Sequence, residues 1–400
     1  MNAAAPTPRG PRLLRDASAS ALAAGFVTVL VGFASSAVIV FQAARALGAS
    51  DAETSSWIWA LGIGMGVTCI ALSLRWRMPV VTAWSTPGAA MLITSGAHVP
   101  MREAIGAFVI AALLTVAVGF GGVFARGMRR IPVSLASGML GGVLLRFGID
   151  AFVAMRTQLA LALAMFATYL LARRIAPRYA VIATLLVGIA IAAATGALHL
   201  DGVALRLAVP VFTTPALSLP ALFGIALPLF VVTMASQNVP GVAVLRASGY
   251  EPPVSPIVGW IGVVNAVLAP FGAYALNLAA ITAAISTGRE AHEDPARRYV
   301  AAVSAGACYL LVGLFGATVA ALFAAFPKEL IMAIAGIALL GTIGNSLAAA
   351  LRDERDREPA LITFLVTASG LTLGGIGSAF WGLVAGVVAM LVLTRGRAGA

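Results

Sequence analysis

The chain has 400 residues, 60 % hydrophobic and only 10 % charged, with a mean hydropathy of +0.99 and 42 glycines. No soluble globular class fits that composition, and stretches free of acidic residues, such as 54–102 and 252–289, exceed the roughly 20 residues that a helix needs to cross a bilayer. The net charge of +11 would suggest nucleic acid in a soluble chain, but here the arginines sit in short connections between apolar runs and report topology, so the reading is an all-α polytopic membrane protein with no nucleic-acid partner.

A Pro- and Arg-rich stretch over residues 1–17 reads as a flexible cytoplasmic tail, and the apolar run after it is long enough to span, which argues against a cleaved signal peptide. Fourteen transmembrane segments follow. In the first half they lie near 19–44, 54–74, 84–97, 103–125, 131–149, 157–173 and 179–198. In the second half they lie near 219–243, 254–271, 276–288, 296–325, 328–350, 359–373 and 376–394, after a linker at 201–218 that carries Pro210 and Pro215. Segments three and ten are too short to cross alone and read as half-helices preceded by extended chain. With the N-terminus inside, this count puts 20 of the 26 basic residues on the cytoplasmic side, the asymmetry that orients a membrane protein, and leaves both termini cytoplasmic. Seven segments per half is odd, so two similar halves are inverted repeats, with half-helices 3 and 10 meeting at the midplane N-terminus to N-terminus.

The two half-helices carry the organising motif. Pro79 leads through β-branched residues to Ser85-Thr86-Pro87-Gly88, a hydroxyl cap before a proline suited to a first helical turn. At midplane depth this end offers backbone N–H groups near Gly88 and a positive dipole to an anion. The second copy, aligned Pro79 with Pro270, places Asn277 where Thr86 stands, as a second cap. Another match pairs Ile131-Pro132 with Phe326-Pro327 at an offset of 195.

Polar side chains inside the segments are few. In segment eight, Gln237 and Asn238 stand before Pro240-Gly241 and offer donors and acceptors without charge. Phe33 and Ser36 put an aromatic ring beside a hydroxyl in segment one, and Tyr274 and Trp84 could flank an aromatic ligand or simply pack. None of the 15 acidic residues falls near the centre of a segment, and His98, His199 and His292 lie in connections. This argues against a cation carrier with a buried carboxylate, and against a membrane enzyme: no catalytic residue, metal site or cofactor is expected. Cys69 and Cys308 read as packing residues. Surface glycines and phenylalanines suit either a homodimer or lipid.

The motifs VVTAWSTPGAA, SQNVPGVAVLRASGY and NLAAITAAISTG resemble those of the bacterial benzoate/proton symporter family (BenE family), which is related in fold to nucleobase/ascorbate transporters and anion exchangers. The resemblance implies a core built from 18–130 and 219–326 (segments one to four and eight to eleven) and a gate built from 131–200 and 327–400. It implies a substrate site between half-helices three and ten, with Ser85, Thr86, Gln237, Asn238 and Asn277 around it. Nucleobase carriers place glutamates in segments eight and ten; neutral amides here suit an aromatic carboxylate, anionic above a pKa of about 4. The function implied is secondary active import of benzoate or a similar aromatic acid with protons across the inner membrane. A uniporter, exchanger or channel for another small organic or inorganic anion is the alternative. The proton would ride on the substrate carboxyl or on a segment-end group such as Asp150 or Glu103.

Overall fold

The structure, a computed structural model, describes residues 13–95, 99–128, 132–198, 207–316, 318, 326–371, 373 and 378–395. The tail up to residue 12, His98, His199, residues 201–206 of the linker, the start of segment five (131), and parts of segments three, eleven and fourteen (96–97, 317 and 319–325, 376–377) lie outside the described residues, as does the side chain of Ser35.

A helix occupies each of the fourteen intervals. In the first half these are α1 (Ala19–Ala46), α2 (Asp51–Trp76), α3 (Thr86–Ser95), α4 (Met101–Phe120), α5 (Val133–Val153), α6 (Leu159–Ile175) and α7 (Ala180–Ala194). In the second they are α8 (Leu219–Ala247), α9 (Val254–Leu268), α10 (Ile281–Thr287), α11 (Tyr299–Leu314), α12 (Lys328–Ala350), α13 (Arg357–Ala368) and α14 (Ser378–Arg395). By length and composition, six helical stretches among the described residues can cross a membrane: Asp51–Trp76, Met101–Phe120, Val133–Arg156, Leu219–Ala247, Val254–Phe271 and Lys328–Ala350.

Local chemistry sets these boundaries. Ser50 caps α2 through a capping box in which its Oγ accepts the Glu53 N–H at 3.2 Å and Glu53 accepts the Ser50 N–H at 2.8 Å. α8 is helical throughout but widens into π-turns at Leu222–Ala226 and Met234–Asn238. Each π-turn ends two residues before a proline, Pro228 or Pro240. Proline lacks an N–H and its ring clashes with the carbonyl four residues back, so the helix loosens there.

Two sets of helices pack mainly among themselves. α2 lies on α11, α4 on α9, and α1 on α11, α3 and α10. α5 lies on α12, α13 and α14, while α6 and α7 pair with each other and with α12. The sets meet where the C-terminal part of α8 runs along α5 and where α12 reaches α1 and α10. Backbone contact fixes the α2–α11 crossing: a Cβ on Gly62 would lie 2.5 Å from the Cα of Gly313, so only hydrogen fits.

At the centre is a two-stranded antiparallel ribbon, β1 (Thr82–Trp84) with β2 (Leu276–Leu278), in the register Ala83 opposite Asn277. β1 feeds α3 and β2 feeds α10. Because the strands are antiparallel, the two short helices leave the ribbon at opposite ends. Its outer edges are closed by side chains, as buried strand edges must be. Cys69 Sγ accepts the Thr82 N–H at 3.2 Å and Ser73 Oγ the Val80 N–H at 3.1 Å, both from α2. On the other side Asn265 Oδ1 accepts the Leu276 N–H at 3.2 Å and Asn238 Oδ1 the Leu278 N–H at 2.9 Å.

This register corrects the alignment of Pro79 with Pro270. Asn277 stands in mid-strand, not at a helix cap, and α10 starts at Ile281 with no side-chain cap. Helix starts Thr86 and Ile281 are 195 positions apart, as are Val133 and Lys328. The second copy inserts a 3-10 turn at Ala269–Phe271 and a left-handed Gly272 (φ +104°) before its strand, which displaced the proline-based match. A Cβ on Gly272 would also collide with Trp57.

Candidate substrate-binding site

Ser85 begins α3 with every polar atom occupied. Its N–H donates to Ala275 O across the ribbon at 3.1 Å, its Oγ accepts the Gly88 N–H at 3.1 Å, and its carbonyl accepts the Ala89 N–H at 2.8 Å and the Tyr274 hydroxyl at 2.9 Å. Thr233 of α8 donates to Ser85 Oγ at 3.3 Å. Ser85 therefore closes the helix start, and since Pro87 has no N–H, the Thr86 N–H is the first-turn donor left over. Gly88 admits α8: a Cβ there would lie 2.8 Å from Leu229 Cδ1. Tyr274 is fully buried against Trp57 and Phe108, with ring centroids 5.7 and 6.2 Å away, and so holds the ribbon–α3 corner from behind. Asn238 is also buried, its oxygen on Leu278 and its Nδ2 3.1 Å from Met234 Sδ.

Beside the ribbon lies a cavity of about 370 Å³, within the range of small-molecule sites. Trp84, Phe147 and Tyr309, from β1, α5 and α11, give it three aromatic rings; Met65, Pro87 and Ile281 add apolar surface. Its polar side chains are Ser36, Thr86, Gln237, Thr282 and Tyr309, all uncharged. Ser36 is committed: it accepts the Trp84 Nε1–H at 2.9 Å and donates to Gly32 O at 2.9 Å, which fixes the indole. Phe33 sits behind, edge-on to Trp84 at 5.7 Å. The side chains of Thr86, Gln237, Thr282 and Tyr309 make no hydrogen bond to the described protein. Gly32 keeps this wall open, since a Cβ there would lie 3.3 Å from the Tyr309 hydroxyl and 3.2 Å from Thr282.

Asn277 adds an unusual group. Residues directly opposite in an antiparallel pair project to one face, and its partner Ala83 lines the cavity. Asn277 is 0 % exposed and neither its Oδ1 nor its Nδ2 has a hydrogen-bond partner among the described residues. Leaving such a group unpaired costs about 1–3 kcal/mol.

Of the residues singled out from sequence, the structure brings Ser36, Thr86 and Gln237 to the cavity wall and Asn277 onto the ribbon face that borders it. It sets Ser85, Gly88, Asn238, Tyr274 and Phe33 in the layer that supports them. Sequence reasoning missed Tyr309, Thr282, Gly32 and Phe147. Tyr309 could have been found by weighing every intramembrane hydroxyl, as was done for Tyr274; Phe147 gives no such signal. Cys69, read as a packing residue, also caps the edge of β1.

The model of the family described as benzoate membrane transport protein matches residues 15–392. The chain is 50 % identical over 372 residues to "Inner membrane protein YdcO" of Escherichia coli (strain K12), covering 93 % of this chain and 95 % of that one. It is 39 % identical over 386 residues to "Benzoate membrane transport protein" of Acinetobacter baylyi, covering 96 % and 98 %. A solved structure of SLC26A9 superposes on 95 % of the chain, and 66 % of its own length, with a TM-score of 0.48 and 12 % identity.

Proposed function

The chain belongs to the benzoate membrane transport protein family, and from that premise we propose that it imports benzoate or a similar aromatic carboxylate together with protons across the inner membrane. It is a membrane transport protein and not an enzyme. The observation that carries the substrate reading is the cavity beside the ribbon: three aromatic rings to hold an arene, and four unpartnered neutral groups, Thr86, Gln237, Thr282 and Tyr309, to receive a carboxylate. A fixed negative charge would repel that anion, and none lines the cavity.

In this reading the two sets of helices are the core and the gate, fourteen segments form two inverted repeats, and both termini are cytoplasmic. The 195-residue spacing of helix starts supports the duplication, and the antiparallel ribbon supports the inversion. Asn277, Gln237 and Thr86 contact the substrate, while Ser85, Gly88, Asn238, Tyr274, Phe33 and Ser36 hold the walls. Asp150 faces Arg146 at 3.9 Å and Glu103 accepts the Ser218 hydroxyl; neither lines the cavity. Neither of these segment-end groups is therefore placed to pass a proton to a substrate in the cavity.

The test is uptake of radiolabelled benzoate into proteoliposomes with and without an inward proton gradient. Saturable accumulation driven by the gradient is expected. Benzoate flux indifferent to the gradient would sink the symport and leave a uniporter, exchanger or channel, and absence of benzoate flux would sink the aromatic substrate.

A further inference from the structure

A second cavity, of about 160 Å³, lies at the other end of α10. Thr287, Gly288 and Arg289 form one side of it and Leu140 of α5 with Asn345 and Ser346 of α12 the other; Ser248 and Arg298 complete it. Two elements, α10 and α5, contribute residues at or beside both cavities. α10 has 7 residues, so its ends are separated by roughly 10 Å at 1.5 Å per residue. Phe147 lines the first cavity and Leu140 the second, and two helical turns separate them on one face of α5. The second cavity thus lies one short-helix length from the first, on the same side of α5.

The chemistry of the second cavity differs from that of the first. It is walled by two guanidinium groups, and neither lies within ion-pair distance of a carboxylate among the described residues. Two nearby acids are engaged elsewhere, Glu290 with Arg173 at 2.8 Å and Asp294 with Arg297 at 3.4 Å, and a third, Glu293, is exposed and offers Arg298 its carbonyl. Arg298 is 7 % exposed; its Nε–H donates to His292 O at 2.7 Å, and N–H groups on its two terminal nitrogens donate to Thr287 O at 2.8 Å and Glu293 O at 3.3 Å. These carbonyls use three of its five donors and supply no net charge. A buried cation without a counter-ion calls for an anion. Arg289, exposed on the rim, adds a second positive charge.

We infer that this cavity is a second carboxylate site, on the cytoplasmic side, where the transported anion rests after leaving the ribbon cavity. The inference rests on the proposed transport of an aromatic carboxylate. The uncharged first site orients the substrate; the charged second site draws it toward the cytoplasm.

The test places a cysteine at the exposed rim, Asn345→Cys, in inside-out membrane vesicles, with the parent chain giving the background from Cys69 and Cys308. Labelling by an anionic sulfonate-bearing methanethiosulfonate is compared with labelling by its cationic trimethylammonium analogue. The expected result is faster labelling by the anionic reagent, and its rate drops by about fivefold when Arg289→Gln is added, equivalent to one unit charge at ~4 Å in water. Arg289→Lys restores it, and benzoate slows labelling. Equal rates for the two reagents, or benzoate transport without protection at Asn345→Cys, would overturn the second site. Charge preference and protection without benzoate uptake would leave the second site standing and overturn the transport reading.

Discussion

Two asparagines 39 residues apart separate support from recognition. Asn238 spends its oxygen on the Leu278 N–H, so Asn238→Ala leaves a buried backbone donor unpaired and costs about 1–3 kcal/mol, read as a lower melting temperature in detergent. Asn277 has nothing to lose in the empty protein. Asn277→Leu is expected to melt no lower than the parent while benzoate uptake falls at least tenfold; a matched fall in melting temperature would return Asn277 to the scaffold. Tyr309→Phe follows the same logic, because its hydroxyl has no partner among the described residues: unchanged melting, with KM for benzoate raised about tenfold, the worth of a weak hydrogen bond to a charged group.

At the scale of elements, the sequence announced the extended lead-ins, the two short helices and the proline break in α8, because proline and capping residues act over a few positions. It did not disclose the register. Which residue faces Ala83 depends on pairing between strands 194 positions apart, and a proline match that looked persuasive was four residues out. Cys69, Asn238 and Asn265 likewise gain their role from a partner strand that local sequence cannot name. The π-turn at Met234–Asn238 was visible only as its cause, Pro240. Pro240→Ala restores the donor to the helix and removes the reason for widening, turning Gln237 by up to about 100°, one residue of helix. Uptake is then expected to drop at least tenfold with helix content unchanged by circular dichroism.

Across the molecule, polar contacts help to join the two sets of helices. One is Arg173 at the end of α6, which donates to Glu290 at 2.8 Å and to Tyr169 at 3.0 Å. Glu290 follows α10, so this pair ties one set to the other beside the second cavity. Arg173 is 44 % exposed, which limits the pair to about 1 kcal/mol. Glu290→Gln should therefore raise amide hydrogen exchange in residues 288–292 by roughly fivefold, leaving α2 and α11 unchanged. Exchange that rises equally everywhere would indicate general destabilisation rather than a loosened seam.

The central ribbon also sets an order of assembly. Thr82 pairs with Leu278, 196 positions later, and at ~5–20 residues per second the ribosome takes about 10–40 s to supply that partner. During this interval β1 has only the edge that α2 covers through Cys69 and Ser73, both made before it. The inner edge waits. The first half of the chain therefore enters the bilayer as an unfinished half-site, and the second half completes its own strand and that of its predecessor in one step.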